Sequence, residues 1–201
     1  MGGSPIFSGA LPSCGGYAIC FSLSPSYISR INAGFKGFFR QTAFFFTAFG
    51  KNSALFSTGN TTPAANRNRK LAEELGLKER IFLPGSVADV ASAIYRASFF
   101  VLSSYSEGMP NTLIEAMALG IPSISTDCPC GGPAELIEDG VNGYLIEPGN
   151  WKKLQDILQK LMDNPDLAKK VGGNAAKIQE KLNPDRINKM WEDYFYNWMG
   201  R

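Results

Sequence analysis

The chain contains no histidine among its 201 residues. This absence removes histidine-dependent triads, histidine metal centres and the side chain that most often serves as a general base near neutral pH. Cysteine is scarce, and of the four only Cys128 and Cys130 stand nearly side by side, in a Cys-Pro-Cys loop. One such pair without further ligands makes no zinc site, so no metal is expected and the thiols, Cys14 and Cys20 included, are expected to stay reduced. Long apolar runs are missing too: Ala43 to Phe46, with Ala48 and Phe49 beside it, is too short to span a bilayer. The opening residues have neither the basic n-region nor the compact apolar core of a signal peptide. Net charge is only +2, which advertises no nucleic-acid partner. A cytoplasmic protein is the expectation.

Residues 1–60 carry an absence of their own. They hold no Asp or Glu, so Arg30, Lys36, Arg40 and Lys51 give them +4, while the other 16 basic and 18 acidic residues leave residues 61–201 at −2. They also hold 10 of the 14 phenylalanines. An acid-free segment rich in Phe, Gly and Ser is unusual for half of a globular domain. The chain therefore divides into an atypical segment, 1–60, and a regular one, 61–201.

From Pro63 the pattern is regular. Ala64 to Leu75 reads as a helix stopped at Gly76, Ile81 to Leu83 as a short strand, and Val87 to Arg96 as a helix with Val90, Ala91, Ile94 and Tyr95 at helical spacing. Ser98 to Leu102 and Ile121 to Ser125 read as buried strands, Pro133 opens a short helix closed at Asp139-Gly140, and Gly143 to Ile146 is a last strand. Strands alternating with helices imply a parallel sheet with helices on both faces. After Asn150 the chain is helical: Trp151 to Met162 with Leu154, Ile157, Leu158 and Leu161 on one stripe, then Leu167 to Val171, Ala175 to Leu182 and Pro184 to Met199.

The stretch with most chemistry is Ser106-Glu107-Gly108-Met109-Pro110-Asn111-Thr112-Leu113-Ile114-Glu115, a polar loop running from a buried strand straight into a helix. Asn111 or Thr112 suits the N-cap, and Leu113, Ile114, Ala116, Met117 and Leu119 supply an apolar side. The first turn then offers unpaired N–H groups and a partial positive charge, which bind an anion such as phosphate. Gly108 lets a ligand approach closely. Glu107 and Glu115 bracket this anion site and would repel a bare phosphate, so they suit hydroxyls of the same ligand instead. A diphosphate with hydroxyl-bearing rings at both ends, as in a sugar nucleotide, fits the layout. Spacing alone also allows two solvated carboxylates.

Glu107 and Glu115, with Gly-Met-Pro-Asn-Thr-Leu among the seven residues between them, resemble the E-x7-E motif of family 4 glycosyltransferases of the GT-B fold. The segments Gly120-Ile121-Pro122-Ser123-Ile124-Ser125-Thr126-Asp127, Gly132-Pro133-Ala134-Glu135-Leu136-Ile137 and Asp139-Gly140-Val141-Asn142-Gly143-Tyr144-Leu145-Ile146 are similar to that family's text as well. The resemblance implies an α/β fold: the C-terminal, Rossmann-like, nucleotide-sugar-binding half of a GT-B enzyme, ending in helices. It implies that Glu107 acts beside the transferred sugar as the catalytic carboxylate. Gly108, Met109, Pro110, Asn111, Thr112 and Leu113 would hold the diphosphate and sugar, and Glu115 the ribose hydroxyls.

The same resemblance implies a retaining transfer, without a metal or other cofactor, from a UDP-sugar to a sugar or lipid-linked glycan acceptor in bacterial surface polysaccharide synthesis. Its expected setting is the inner face of the membrane, by peripheral association. Ser29-Arg30-Ile31 and Lys36-Gly37-Phe38-Phe39 echo the family's basic pair, whose Arg and Lys reach the diphosphate, with a gap one residue too long. Residues 1–60 are therefore read as partly out of frame or degenerate. The family's N-terminal acceptor domain is missing from the chain, which keeps a second reading open: a fragment that binds donor and transfers nothing. The aromatics of the last helix face either such a partner domain or the chain's own core.

Overall fold

Six strands form a single sheet in the computed structural model, which describes residues 43–49, 52–58, 66, 69–70, 72–74, 76, 78, 81–82 and 89–200. They are β1 (Ala43–Phe49), β2 (Asn52–Thr58), β3 (Ile81–Phe82), β4 (Phe99–Leu102), β5 (Ser123–Thr126) and β6 (Tyr144–Ile146), ordered β3-β2-β1-β4-β5-β6 across the sheet. The strands β4, β5 and β6 run parallel, as does the pair β2 and β3. β1 does not: it is antiparallel to both β2 and β4. The parallel arrangement expected of residues 61–201 holds for β4, β5 and β6, and the exception, β1, lies in the atypical segment 1–60. The cause is chain length, because only two residues separate β1 from β2. A parallel neighbour needs a crossover of about a dozen residues or more, whereas two residues can close only a hairpin.

The seven helices assigned among the described residues are α1 (Val90–Ile94), α2 (Asn111–Ala118), α3 (Gly132–Leu136), α4 (Trp151–Asp163), α5 (Pro165–Ala175), α6 (Ile178–Lys181) and α7 (Pro184–Trp198). Local chemistry explains their starts. The Asp89 carboxylate accepts from the Ser92 N–H at 3.0 Å, and Asn150 Oδ1 accepts from the Lys153 N–H at 3.0 Å. Asn183 Oδ1 accepts from the N–H groups of Asp185 and Arg186. Such caps satisfy donors that the first turn of a helix leaves unpaired.

Alternation along β4 builds a core on each face of the sheet. Phe99 and Val101 join Ile124, Tyr144, Ile146 and the stripe Leu154, Ile157, Leu158 and Leu161 of α4. Phe100 and Leu102 join Ile94, Leu113, Ala116, Met117, Leu136 and Ile178 on the opposite face. Helices therefore cover both faces, and each fully buried aromatic such as Phe100 stabilises the fold by about 3–5 kcal/mol relative to alanine. Ala72 belongs to the first core and Gly76 closes the turn after it, with its N–H on the Glu73 carbonyl at 3.0 Å.

Other expectations shift in detail. In α1, Ile94 is buried while Ala91 and Tyr95 are exposed, so the apolar spacing there overstated the buried side. Leu119 is likewise exposed, just past the end of α2. The helix expected to stop at Val171 runs on through Gly172-Gly173 to Ala175. Gly172 lies against the turn after α2, where a Cβ would sit 2.1 Å from the Gly120 carbonyl oxygen, so close packing rather than a break accounts for this glycine. None of the residues of α7 is buried, and Met190, Trp191, Tyr194, Phe195 and Trp198 are all exposed. The alternative in which they pack on the chain's own core is not what the described residues show. No helix among the described residues is long and apolar enough to cross a membrane.

Candidate functional site

The three parallel strands β4, β5 and β6 end on the same side of the sheet, and the loops that follow them meet there. This is the edge at which open α/β sheets bind ligands. After β4 the chain passes through Ser103 and Ser104 into the loop that carries Glu107. Thr126, the last residue of β5, donates from Oγ1 to the Ser104 carbonyl oxygen at 2.5 Å. Ser104 in turn donates from Oγ to Glu107 Oε1 at 2.5 Å. A hydroxyl bonded to a carboxylate at this distance is at the short, charge-assisted end of the range. Glu107 is half-buried, whereas Gly108 and Met109 are exposed.

Pro110, buried, is the N-cap residue of α2, which corrects the expectation that Asn111 or Thr112 takes that place. The Pro110 carbonyl accepts the N–H groups of Leu113 at 3.0 Å and Ile114 at 3.2 Å, and no side chain caps the helix. Asn111 and Thr112 thus fall inside the first turn, and their own N–H groups have no acceptor among the described residues. They are the donors that a helix start leaves for an anion. Leu113 is completely buried in the core, so its side chain anchors the turn and only its backbone faces the site.

Glu115 stands one turn further along α2, half-buried. Its Oε2 is shut off from solvent and has no hydrogen-bond partner among the described residues. A buried carboxylate oxygen without a donor costs free energy that the fold itself does not offset. Across the site, Cys130 (φ 80°) and Gly131 (φ 75°) are consecutive left-handed residues that lead into α3. Gly132 is pressed on the motif loop: a Cβ there would lie 1.4 Å from the Gly108 carbonyl oxygen. A Cβ on Gly108 itself would meet nothing within 4 Å. Space is therefore open in front of Gly108 and closed behind it. Cys128 is buried and Cys130 exposed, both as free thiols.

The structure brings Glu107, Gly108, Met109, Pro110, Asn111, Thr112, Leu113 and Glu115 into one loop and helix start. Arg30 and Lys36, expected at the diphosphate, lie outside the described residues. Two features escape a reading of the sequence, the Thr126–Ser104–Glu107 chain of hydrogen bonds and the contact of Gly132 with Gly108. The first had a local trace, since Ser104 and Glu107 are spaced as Ser-x-x-Glu, a pattern that favours side-chain closure of a loop. The second had none beyond the glycine itself.

The fold is that of the GT-B glycosyltransferases. The sequence model of glycosyl transferases group 1 matches residues 55–178, more than half of the chain, and the chain belongs to that family. It is 32% identical over 140 residues to an exopolysaccharide phosphotransferase of Streptomyces coelicolor, a match covering 69% of this chain and 15% of that protein. The HepE protein of Anabaena, solved in complex with UDP, superposes with a TM-score of 0.66 at 23% identity over 71% of this chain and 40% of that one. The C-terminal domain of the group 1 glycosyl transferase LpcC of Francisella tularensis superposes with a TM-score of 0.52 at 30% identity, covering 60% of this chain and 64% of that domain. Across eight curated relatives the matched part takes in 13–35% of their own length.

Proposed function

We propose that the chain is the C-terminal, donor-binding half of a retaining family 4 glycosyltransferase that takes its sugar from a UDP-sugar. The observation that carries this reading is Glu115 Oε2, buried and without a donor. The two hydroxyls of a ribose supply the donors it lacks, and a carboxylate's pair of oxygens suits a vicinal diol. One turn away, the N–H groups of Asn111 and Thr112 suit the diphosphate, with the helix dipole adding to the attraction. Glu107, whose Oε1 is engaged by Ser104, has Oε2 left for a hydroxyl of the transferred sugar.

In the transfer, the bond between the anomeric carbon and the diphosphate oxygen breaks, and a bond from that carbon to the acceptor hydroxyl oxygen forms on the same face. The acceptor's proton passes to the departing diphosphate oxygen. Glu107 positions and polarises the sugar, and the N–H groups at the start of α2 stabilise the charge that grows on the leaving group. The mechanism calls on no metal. A sugar or lipid-linked glycan is the acceptor class, in surface polysaccharide synthesis at the cytoplasmic face of a membrane; the name of the Streptomyces relative supports the polysaccharide part of this reading.

Calorimetric titration of the full chain with UDP, UDP-glucose and GDP-sugars tests this reading. Binding of UDP and UDP-glucose is expected, weakened by about 1.5–3 kcal/mol in Glu115→Ala, the cost of losing a charged acceptor. No binding by a folded sample overturns it. The match spans 15% and 13% of the first two relatives' length, so transfer by the whole protein is a proposal beyond donor binding. A transfer assay on a chain that binds donor separates the two.

A further inference from the structure

We propose that Ser104 and Thr126 are positioning residues that hold Glu107 in place for the sugar, an inference that rests on the donor-binding reading above. A glutamate on a loop has several rotatable bonds and loses entropy whenever it is fixed. Among the described residues the Ser104 hydroxyl is the one hydrogen-bond donor to Glu107, at 2.5 Å from Oε1. That bond fixes one carboxylate oxygen and leaves the other open. Ser104 itself sits on a loop, so it can orient Glu107 only if something orients Ser104.

Thr126 does so. It is completely buried at the end of β5, and its hydroxyl reaches across to the Ser104 carbonyl oxygen at 2.5 Å, with a longer contact of 3.5 Å to the Leu102 carbonyl. The neighbouring buried hydroxyls behave otherwise. Ser123 donates to the Ile121 carbonyl and Ser125 to that of Thr126, each within two residues along the chain. Only Thr126 in this strand spends its donor on a segment 22 residues away in sequence, which ties the loop after β4 to the rigid end of β5. A β-branched side chain with a restricted χ1 is well suited to that task. Sheet, Thr126, Ser104 and Glu107 thus form a continuous support running from the core to the open carboxylate oxygen.

If this support serves the sugar, its loss should damage recognition of the sugar and spare recognition of the nucleotide. The experiment measures dissociation constants of UDP and UDP-glucose by calorimetry for the full chain and for Ser104→Ala, Ser104→Thr, Thr126→Val and Glu107→Gln. Wild type is expected to prefer UDP-glucose to UDP. Ser104→Ala should weaken UDP-glucose about tenfold or more, the loss of one hydrogen bond to a charged group, and leave UDP within about twofold. Ser104→Thr, which keeps the hydroxyl, should restore the preference, and Thr126→Val should lose it in part. The double variant of Ser104→Ala with Glu107→Gln should bind UDP-glucose no more weakly than Glu107→Gln alone.

Equal weakening of UDP and UDP-glucose in Ser104→Ala and Thr126→Val would mean a structural role and overturn the proposal. So would a sugar preference that Glu107→Gln abolishes and Ser104→Ala keeps, a result that leaves the donor-binding reading intact. A folded wild-type chain that binds neither ligand overturns both.

Discussion

The carbonyl oxygen of Gly108 lies against the α carbon of Gly132, so closely that a Cβ on Gly132 would sit 1.4 Å from it. This contact ties the start of α3 to the loop that carries Glu107, and the obstructing atom is backbone. It cannot swing aside as the end of a flexible side chain would. Gly132→Ala must therefore displace one of the two loops, at a cost of about 1–3 kcal/mol typical of overpacked sites. We expect lower stability in denaturant melts and weaker UDP-glucose binding together.

Gly172→Ala provides the contrast. Its Cβ would lie 2.1 Å from the Gly120 carbonyl oxygen, an equally unyielding backbone atom, but at the far end of α2 from Glu107. A comparable loss of stability is expected, with UDP-glucose affinity in the folded fraction unchanged within about twofold, because no residue at the donor loop moves. Equal damage to binding in both variants, each measured on folded protein, would show that the contact at Gly108 has no special bearing on the site.

Much of this arrangement was legible in the sequence, and the reasons for success and failure are physical. Phe99 to Leu102 is an uninterrupted apolar run because both its faces are covered, and the stripe Leu154, Ile157, Leu158 and Leu161 follows the helical period because only one side is. The grammar of the site, strand then loop then helix start, is local and could be read. The place of β1 in the sheet was not, since its pairing with β4 spans more than fifty residues, although the two-residue turn to β2 that reverses its direction is local. The bond from Thr126 to Ser104 is non-local in the same way. Pro110 displaced Asn111 from the cap position because its carbonyl already accepts two N–H groups, something a preference table for side-chain caps does not register.

Asp89 gives a prediction about pH. The Ser92 hydroxyl, and secondarily the Ser92 N–H, hold its carboxylate charged and its pKa below the ordinary aspartate value. A group with a lowered folded-state pKa contributes stability above its unfolded-state value, and that contribution disappears as pH falls through the folded-state one. Resonances of α1 should therefore shift on acidification below the usual aspartate range, with Ser92 the most affected. Asp89→Asn should abolish this shift. An unchanged titration of the Ser92 N–H in that variant would assign the effect to another group.

The aromatic stripe of α7 gives a prediction about folding. Trp191 stacks on Phe195 with centroids 5.8 Å apart, yet both side chains are about half exposed and no residue of the helix is buried. Replacing both with serine should change stability by no more than about 1 kcal/mol, the range for exposed positions that share one ring contact. Leu161→Ala, in the core, should cost about 2–5 kcal/mol. The double serine variant should also run as a narrower peak in gel filtration, because an exposed apolar stripe promotes association. A loss as large as that of Leu161→Ala would mean that α7 is packed against the body of the chain.

Glu115 separates a structural from a ligand-binding role by the sign of one change. A carboxylate that supports the fold makes hydrogen bonds within it, and removing it lowers stability. Glu115 Oε2 is buried and makes none among the described residues. Removing such a group relieves a desolvation cost of about 1–3 kcal/mol, and alanine is in addition the best helix former at a position inside α2. Glu115→Ala should therefore raise the midpoint of thermal unfolding in the absence of ligand. The same variant should shift less than wild type when UDP is added, since ligand stabilisation scales with the logarithm of ligand concentration over the dissociation constant. A midpoint that falls without ligand and responds normally to UDP would make Glu115 a structural residue and leave its buried oxygen unexplained.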